Sequence, residues 1–223
     1  MSKQNRPFEM RNRATVLWIS VASALIYAVF AVFIGAVANF PDKYSGSLIA
    51  AAVAFLITTP LLSIRLVKPF VNTLHKRFIG IYLCWPVALG DFFARKILGV
   101  LRQYLLLSGA LTAAASGVLF YLKEQSLLSF GLGALFGFAL CAATTATVLV
   151  SISVAARYHS PPVAVVCAFL APLLLGNVFA NSLREYALIP FFATALVLVA
   201  VAAAVFLQVV RYLNVFNPRS VKE

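Results

Sequence analysis

The side chains that could carry protons or perform acid–base chemistry lie outside the long apolar stretches of this sequence. The six acids and two histidines are Glu9, Asp42, Asp91, Glu124, Glu185, Glu223, His75 and His159. Proton-driven carriers usually hold such groups at membrane depth, because a buried titratable group is what carries the proton. The sequence therefore disfavours a proton-driven transporter, whereas ion coupling through carbonyl or hydroxyl oxygens stays open.

Hydroxyl and thiol groups do occur inside the apolar stretches, but without the partners that nucleophilic catalysis needs. The sequence has no HExxH, no Walker-type phosphate loop and no Ser/His/Asp set within these stretches. Bonds to neighbouring carbonyls or helices are the expected role of four hydroxyls: Thr144, Thr145, Thr147 and Ser151. No CxxC pair joins the three cysteines, Cys84, Cys141 and Cys167. We predict no catalytic, cofactor-binding or metal-ligating residue, and no enzyme activity in this chain.

The composition indicates that lipid covers most of the surface. Of 223 residues, 63% are hydrophobic and only 11% are charged, whereas soluble domains are about 45–50% apolar and about one quarter charged. A soluble fold of this size could not bury so many apolar side chains. The net charge of +12 gathers beside the apolar runs and has no interleaved aromatics, so we do not expect nucleic-acid binding.

Six stretches are long and apolar enough to form membrane-spanning helices. A helix needs about 20 apolar residues to cross the roughly 30 Å hydrocarbon core. The predicted spans are residues 14–38, 48–64, 104–122, 127–156, 163–181 and 188–210. The first is longer than a signal-peptide core and is predicted to be retained. The fold prediction is a single all-α integral membrane domain over residues 1–223.

The distribution of lysine and arginine predicts the orientation. Fifteen of the 18 basic residues fall on the side that holds both termini and the connections after spans two and four. The other three are Lys43, Lys123 and Arg184. Because cytoplasmic loops are enriched in Lys and Arg, both termini are predicted to be cytoplasmic.

Apart from hydroxyl residues, one proline, two asparagines and a pair of glycines within the spans suggest specific roles. Pro172 is predicted to kink the fifth span, and with Asn177 and Asn181 it forms either a substrate route or a site of helix–helix hydrogen bonding. Gly133 and Gly137 have GxxxG spacing, which indicates close approach by another helix, through packing or dimerisation.

The long connection between spans two and three, residues 65–103, carries the extramembrane features. Apolar residues recur every four positions at Leu66, Phe70, Leu74 and Phe78. Pro69 suits the first turn of a helix, so the pattern predicts a separate amphipathic helix that begins there. This helix either rests on anionic lipid or docks a soluble protein, and periodicity does not separate the two.

A second helix is predicted to begin after a break at Pro86 and Gly90, with Asp91 placed to cap it. Trp85 suits the membrane interface.

This segment resembles a known family, the type-2 ABC exporter permeases. The resemblance to the segment that enters their third span lies in Pro86-Val87, Asp91, Ala94-Arg95 and Leu98. It extends to Asn72-Thr73-Leu74, which is similar to a Gly-Thr-Leu-type motif of the coupling helix. The polysaccharide-exporter branch is the most similar, and small haem-exporter subunits have about this length.

This resemblance implies a permease without its own ATPase, in a bacterial inner membrane. Two identical or related permeases would pair with two nucleotide-binding subunits, which would hold ATP and Mg. The mostly apolar spans, which have few charges, favour an amphipathic or lipid-linked cargo. The implied ATPase contact is Phe70, Asn72, Thr73, Leu74, Lys76, Arg77 and Phe78. The implied elbow into span three is Trp85, Pro86, Asp91, Arg95 and Lys96. Two other functions stay open: a non-transporting accessory subunit of a membrane complex, and a small carrier or channel that acts alone.

Overall fold

Five long helices make up the part of the chain that the structure, a computed structural model, describes. The described residues are 8–37, 45–75, 89–158 and 188–215, with the single positions Val166 and Leu170. The helices are α1 (Phe8–Val37), α2 (Ser45–His75), α3 (Leu89–Glu124), α4 (Leu127–Tyr158) and α5 (Leu188–Val215). Within these ranges the fold is all-helical. Each helix contains a window long and apolar enough to cross a membrane.

The five apolar windows correspond to the predicted spans one, two, three, four and six. They are Val16–Ile34, Gly46–Ile64, Phe93–Glu124, Leu127–Arg157 and Leu188–Asn214. The third window begins well before the predicted residue 104, because the helix that starts at Leu89 continues unbroken into the span. The predicted fifth span, 163–181, lies outside the described residues except at two positions, and so do Pro172, Asn177 and Asn181.

The prediction of a separate amphipathic helix that starts at Pro69 is wrong. The backbone of α2 is helical from Ser45 to His75 and passes through both Pro60 and Pro69. Proline inside a helix removes one backbone hydrogen bond. At Pro69 the carbonyl that loses its partner belongs to Arg65, just past the apolar window, where water can replace the missing donor. The helical pattern before Pro69 therefore outweighs the preference of proline for a first turn.

Two buried apolar clusters show how the helices run. One cluster lies at one end of the bundle, which we call the proximal end. It contains residues from the amino-terminal halves of α1 and α3 and from the carboxy-terminal halves of α2, α4 and α5. Its larger side chains include Val16, Leu62, Phe93, Ile152 and Phe206, and the rings of Phe93 and Phe206 stack at 5.7 Å. The second cluster, at the distal end, joins the opposite halves around Phe136, whose ring centroid is 4.5 Å from that of Phe191.

Successive helices from α1 to α4 are therefore antiparallel, whereas α4 and α5 are parallel. A two-residue turn makes the α3–α4 reversal at the distal end. Gln125 has a φ of 53°, and its N–H donates to the carbonyl of Tyr121 at 2.6 Å. The N–H of Leu128 donates to the hydroxyl of Ser126, which caps α4 at 3.2 Å.

Candidate functional site

The described helices carry three polar features, and the largest is a seam between α3 and α4. Ser108, Thr112 and Ser116 repeat every four residues along α3. They face Gly133, Gly137 and Cys141, which repeat every four residues along α4. Ser116 Oγ lies 2.5 Å from the Gly133 carbonyl oxygen, and Thr112 Oγ1 lies 3.2 Å from the Gly137 carbonyl oxygen.

The two glycines of the predicted GxxxG spacing are the points of closest approach in this seam. A Cβ on Gly133 would overlap the Ser116 carbonyl oxygen, and a Cβ on Gly137 would overlap the carbonyl oxygen of Thr112 and the hydroxyl of Ser116. Absence of a side chain is thus what lets the backbones of α3 and α4 meet. The face that carries Gly133 and Gly137 is occupied by α3 of the same chain.

The thiol of Cys141 extends the seam towards α1. It lies 2.9 Å from Thr112 Oγ1 and 3.4 Å from Ser108 Oγ. Ser108 Oγ is in turn 2.8 Å from Ser23 Oγ of α1. Hydroxyls, one thiol and backbone carbonyls thus form a hydrogen-bonded network that joins three helices.

The interpretation of the other α4 hydroxyls is confirmed. Thr144, Thr145, Thr147 and Ser151 each donate to the carbonyl oxygen four residues earlier, at distances of 2.7–3.0 Å. Such bonds satisfy a hydroxyl inside an apolar bundle without a partner helix. These four residues therefore have a structural role.

Thr112→Val should destabilise the protein more than Thr145→Val. The first change removes an interhelical bond in the seam, whereas the partner of Thr145 among the described residues is the Cys141 carbonyl of its own helix. We expect a loss of about 0.5–1.5 kcal/mol for Thr112→Val, measured as thermal unfolding of the purified chain in detergent. Equal melting temperatures for the two variants would contradict an energetic role for the seam.

The second feature is the start of α3 at the proximal end, where the predicted elbow lies. α3 begins at Leu89, and Asp91 lies in its first turn. The N–H of Gly90 donates to Oδ1 of Asn214 in α5 at 2.9 Å, and Nδ2 of Asn214 donates to Oδ1 of Asp91 at 3.3 Å. Asn214 therefore satisfies one of the free N–H groups at this helix end. The sequence does not reveal this role, because Asn214 is 124 residues from Gly90.

Two further contacts tie the proximal ends of the helices together. Gly90 packs so closely on α5 that a Cβ there would overlap the carbonyl oxygen of Val210. The guanidinium of Arg157, in the last turn of α4, lies over the ring of Tyr212 at 5.7 Å from its centroid. The start of α3 and the carboxyl ends of α4 and α5 thus pack against one another. Arg95, in the second turn of α3, is exposed.

The residues of the predicted ATPase contact are only partly within the described chain. Phe70, Asn72, Thr73 and Leu74 lie on the helical backbone of α2, near its carboxyl end, and their side chains are outside the described part. The same holds for the side chain of Lys96 in α3. Five predicted residues lie outside the described ranges altogether: Lys76, Arg77, Phe78, Trp85 and Pro86.

The third feature is a pair of hydroxyls on α2 that sequence analysis missed. Thr59 and Ser63 are fully buried, and neither hydroxyl has a hydrogen-bond partner among the described residues. Pro60 lies between them. A proline beside two hydroxyl residues in an apolar window is the sequence signal that could have identified this site.

Among the described residues, no group of three or more His, Cys, Asp or Glu side chains could hold a metal ion. No protein-family model matches the chain, and neither a curated protein nor a solved structure does.

Proposed function

We propose that this chain is the transmembrane permease subunit of an ATP-driven ABC exporter, which moves an amphipathic or lipid-linked cargo. ATP and Mg would bind to a separate nucleotide-binding subunit, and a second permease, identical or related, would complete the transporter. The proposal rests on the resemblance of residues 65–111 to such permeases and on one structural observation, the length of α2.

α2 continues well past its apolar window. The window ends at Ile64 and the helix ends at His75. At 1.5 Å per residue, the extra eleven residues add about 16 Å of helix beyond the apolar part. Phe70, Asn72, Thr73 and Leu74 lie on this extension, which a soluble ATPase could therefore reach. The contact would be carried by the end of α2 rather than by a separate helix.

The direction of the helices supports a six-span topology with both ends in the cytoplasm. α4 finishes at the proximal end, whereas α5 begins at the distal end and finishes at the proximal one. The chain between Tyr158 and Leu188 therefore connects opposite ends of the bundle. This connection is long enough for one more crossing of about 20 residues, and it contains the predicted fifth span. The basic residues Arg95, Arg157 and Arg211 all belong to the proximal end, which we assign to the cytoplasm.

Reporter fusions test this topology. Green fluorescent protein fused after Glu223 should fluoresce, because it folds in the cytoplasm. Alkaline phosphatase inserted between Gln125 and Ser126 should be active, because this enzyme is active outside the cytoplasm and the proposal puts the distal end there. Exchange of the two reporters should abolish both signals. Phosphatase activity at the carboxyl terminus would contradict the proposed orientation.

An external ATPase would also explain how the chain could work without a buried acid, histidine, lysine or arginine among its described residues. The buried polar groups of the described helices are the hydroxyls of serines, threonines, Tyr27 and Tyr104 and the thiol of Cys141. Transport by such a protein needs contacts that differ between two states of the partner, not a proton carried in the lipid. Closure of the ATPase against the α2 extension would supply that difference, and the packed proximal end would transmit it to α3 and α5.

Leu74→Asp should abolish stoichiometric co-purification of an ATP-binding subunit from native membranes, because it places a charge in an apolar contact. Leu127→Asp is the matched control, since Leu127 is 84% exposed at the distal end. We expect the control to retain the ATPase and both variants to insert in the membrane.

A wild-type complex that lacks any ATPase would overturn the exporter proposal. It would favour the second candidate, a non-transporting accessory subunit. The neutral seam of α3 and α4 is the observation that favours this candidate, because it fastens helices without providing a route for cargo.

A further inference from the structure

The buried hydroxyls of Thr59 and Ser63 differ from the neighbouring hydroxyl of Thr58. Both have 0% exposure, and neither has a hydrogen-bond partner in the part of the chain that the structure describes. Thr58, which is 4% exposed, donates to the carbonyl oxygen of Ala54 at 2.7 Å. A buried hydroxyl without a partner loses its hydration and gains nothing in return, so such groups call for a physical explanation.

The same side of α2 holds a third oxygen without its helical partner. Pro60 has no N–H, so the carbonyl of Leu56, four residues earlier, lacks the donor that a regular helix provides. Leu56, Thr59, Pro60 and Ser63 are spaced by three and four residues and therefore share one face of the helix. Two buried hydroxyls and the carbonyl of Leu56, a residue that is 37% exposed, thus lie within two turns of each other.

The surroundings of this face define the ligand it can accept. No buried residue of the described helices carries a charge, so none of them can neutralise an ion. Two hydroxyls and a carbonyl offer donors and acceptors to a neutral group, such as water, an alcohol or an amide. Ser63 lies one residue before the end of the apolar window at Ile64, in the half of α2 that belongs to the proximal end. The proximal end is therefore the nearer side from which a ligand could arrive.

We propose that Thr59 and Ser63 form a binding site for a neutral hydrogen-bonding group, which is water in the resting protein and a polar group of the cargo during transport. The second half of this inference rests on the proposed exporter function. The site places the polar part of the transport route on α2, beside Pro60 and close to the end of the apolar window at Ile64.

Cysteine accessibility in native membrane vesicles tests whether water reaches the site. In a background that carries Cys84→Ala, Cys141→Ser and Cys167→Ala, the variants Thr59→Cys and Ser63→Cys are exposed to a small water-soluble methanethiosulfonate reagent, with Thr58→Cys as the matched control. We expect both variants to react at least about tenfold faster than the control, since opening towards the proximal end exposes their face of α2 first. Equal rates at all three positions would overturn the proposal.

Thermal unfolding provides a second test that does not need the cysteine variants to fold. If a ligand is bound, Thr59→Val with Ser63→Ala should lower the melting temperature of the full chain relative to Thr58→Val, because the bonds to the ligand are lost. If the hydroxyls are dry and unpaired, the same double change should raise it, and the proposal fails. Neither measurement uses an ATPase, so failure here is distinct from failure of the exporter proposal.

Discussion

Gly137→Ala is expected to reduce the free energy of unfolding by about 1–3 kcal/mol, the usual cost of forcing an extra methyl group into a packed core. The new Cβ would overlap the Thr112 backbone and the Ser116 hydroxyl. The backbone cannot move aside without separating α3 from α4. Separation would also break the bonds from Thr112 and Ser116 to the α4 carbonyls.

Gly131→Ala is the matched control for this prediction. Gly131 is in the same helix, two residues before Gly133, and nothing lies within 4 Å of an added Cβ. Alanine is the better helix former, so this variant should be as stable as the wild type or more stable. Thermal unfolding of both variants in detergent gives the comparison. If Gly137→Ala matched Gly131→Ala, the α3–α4 seam would not be close-packed.

Gly90→Ala should have the second largest effect, because it would force the carboxyl end of α5 away from the start of α3. The added Cβ would overlap the carbonyl oxygen of Val210 and the side chain of Asn214. Displacing Asn214 removes the acceptor for the Gly90 N–H, and loss of such a cap costs about 0.5–2 kcal/mol. We expect a lower melting temperature and faster hydrogen exchange in the first turn of α3.

Gly99→Ala serves as its control, since an added Cβ there meets nothing within 4 Å. It lies in the same helix and should not change exchange in the first turn. Fast exchange in neither variant would mean that Asn214 does not hold the start of α3 in solution. Fast exchange in both would mean that the effect arises from helix propensity and not from the contact with α5.

Hydropathy was enough to predict the five described spans, because the length and apolarity of a spanning helix are local properties of the sequence. The roles of Thr144, Thr145, Thr147 and Ser151 were also predictable, since a hydroxyl can reach the carbonyl four residues earlier in any helix. The predicted start at Pro69 failed because a local preference was applied where the helical pattern continues from the preceding residues.

Features that depend on two distant segments were not predictable from one sequence. The GxxxG spacing indicated that Gly133 and Gly137 face another helix, but nothing local identified α3 as that helix. Asn214 is remote from Gly90, and its role depends on the antiparallel arrangement of α3 and α5. Whether the Thr59 hydroxyl finds a hydrogen-bond partner likewise depends on the helices that surround it in the bundle. The residues of the predicted ATPase contact stay a prediction.

The two-residue turn between α3 and α4 has a consequence for biogenesis. Both helices and all the bonds between Thr112, Ser116 and the α4 glycines lie within one continuous stretch that ends at Tyr158. Closing a short loop costs little chain entropy, and contacts close in sequence form early. The α3–α4 hairpin can therefore assemble while α5 is still being synthesised. On this order of assembly, α5 would join a formed hairpin through the contacts of Asn214 with Gly90 and of Tyr212 with Arg157.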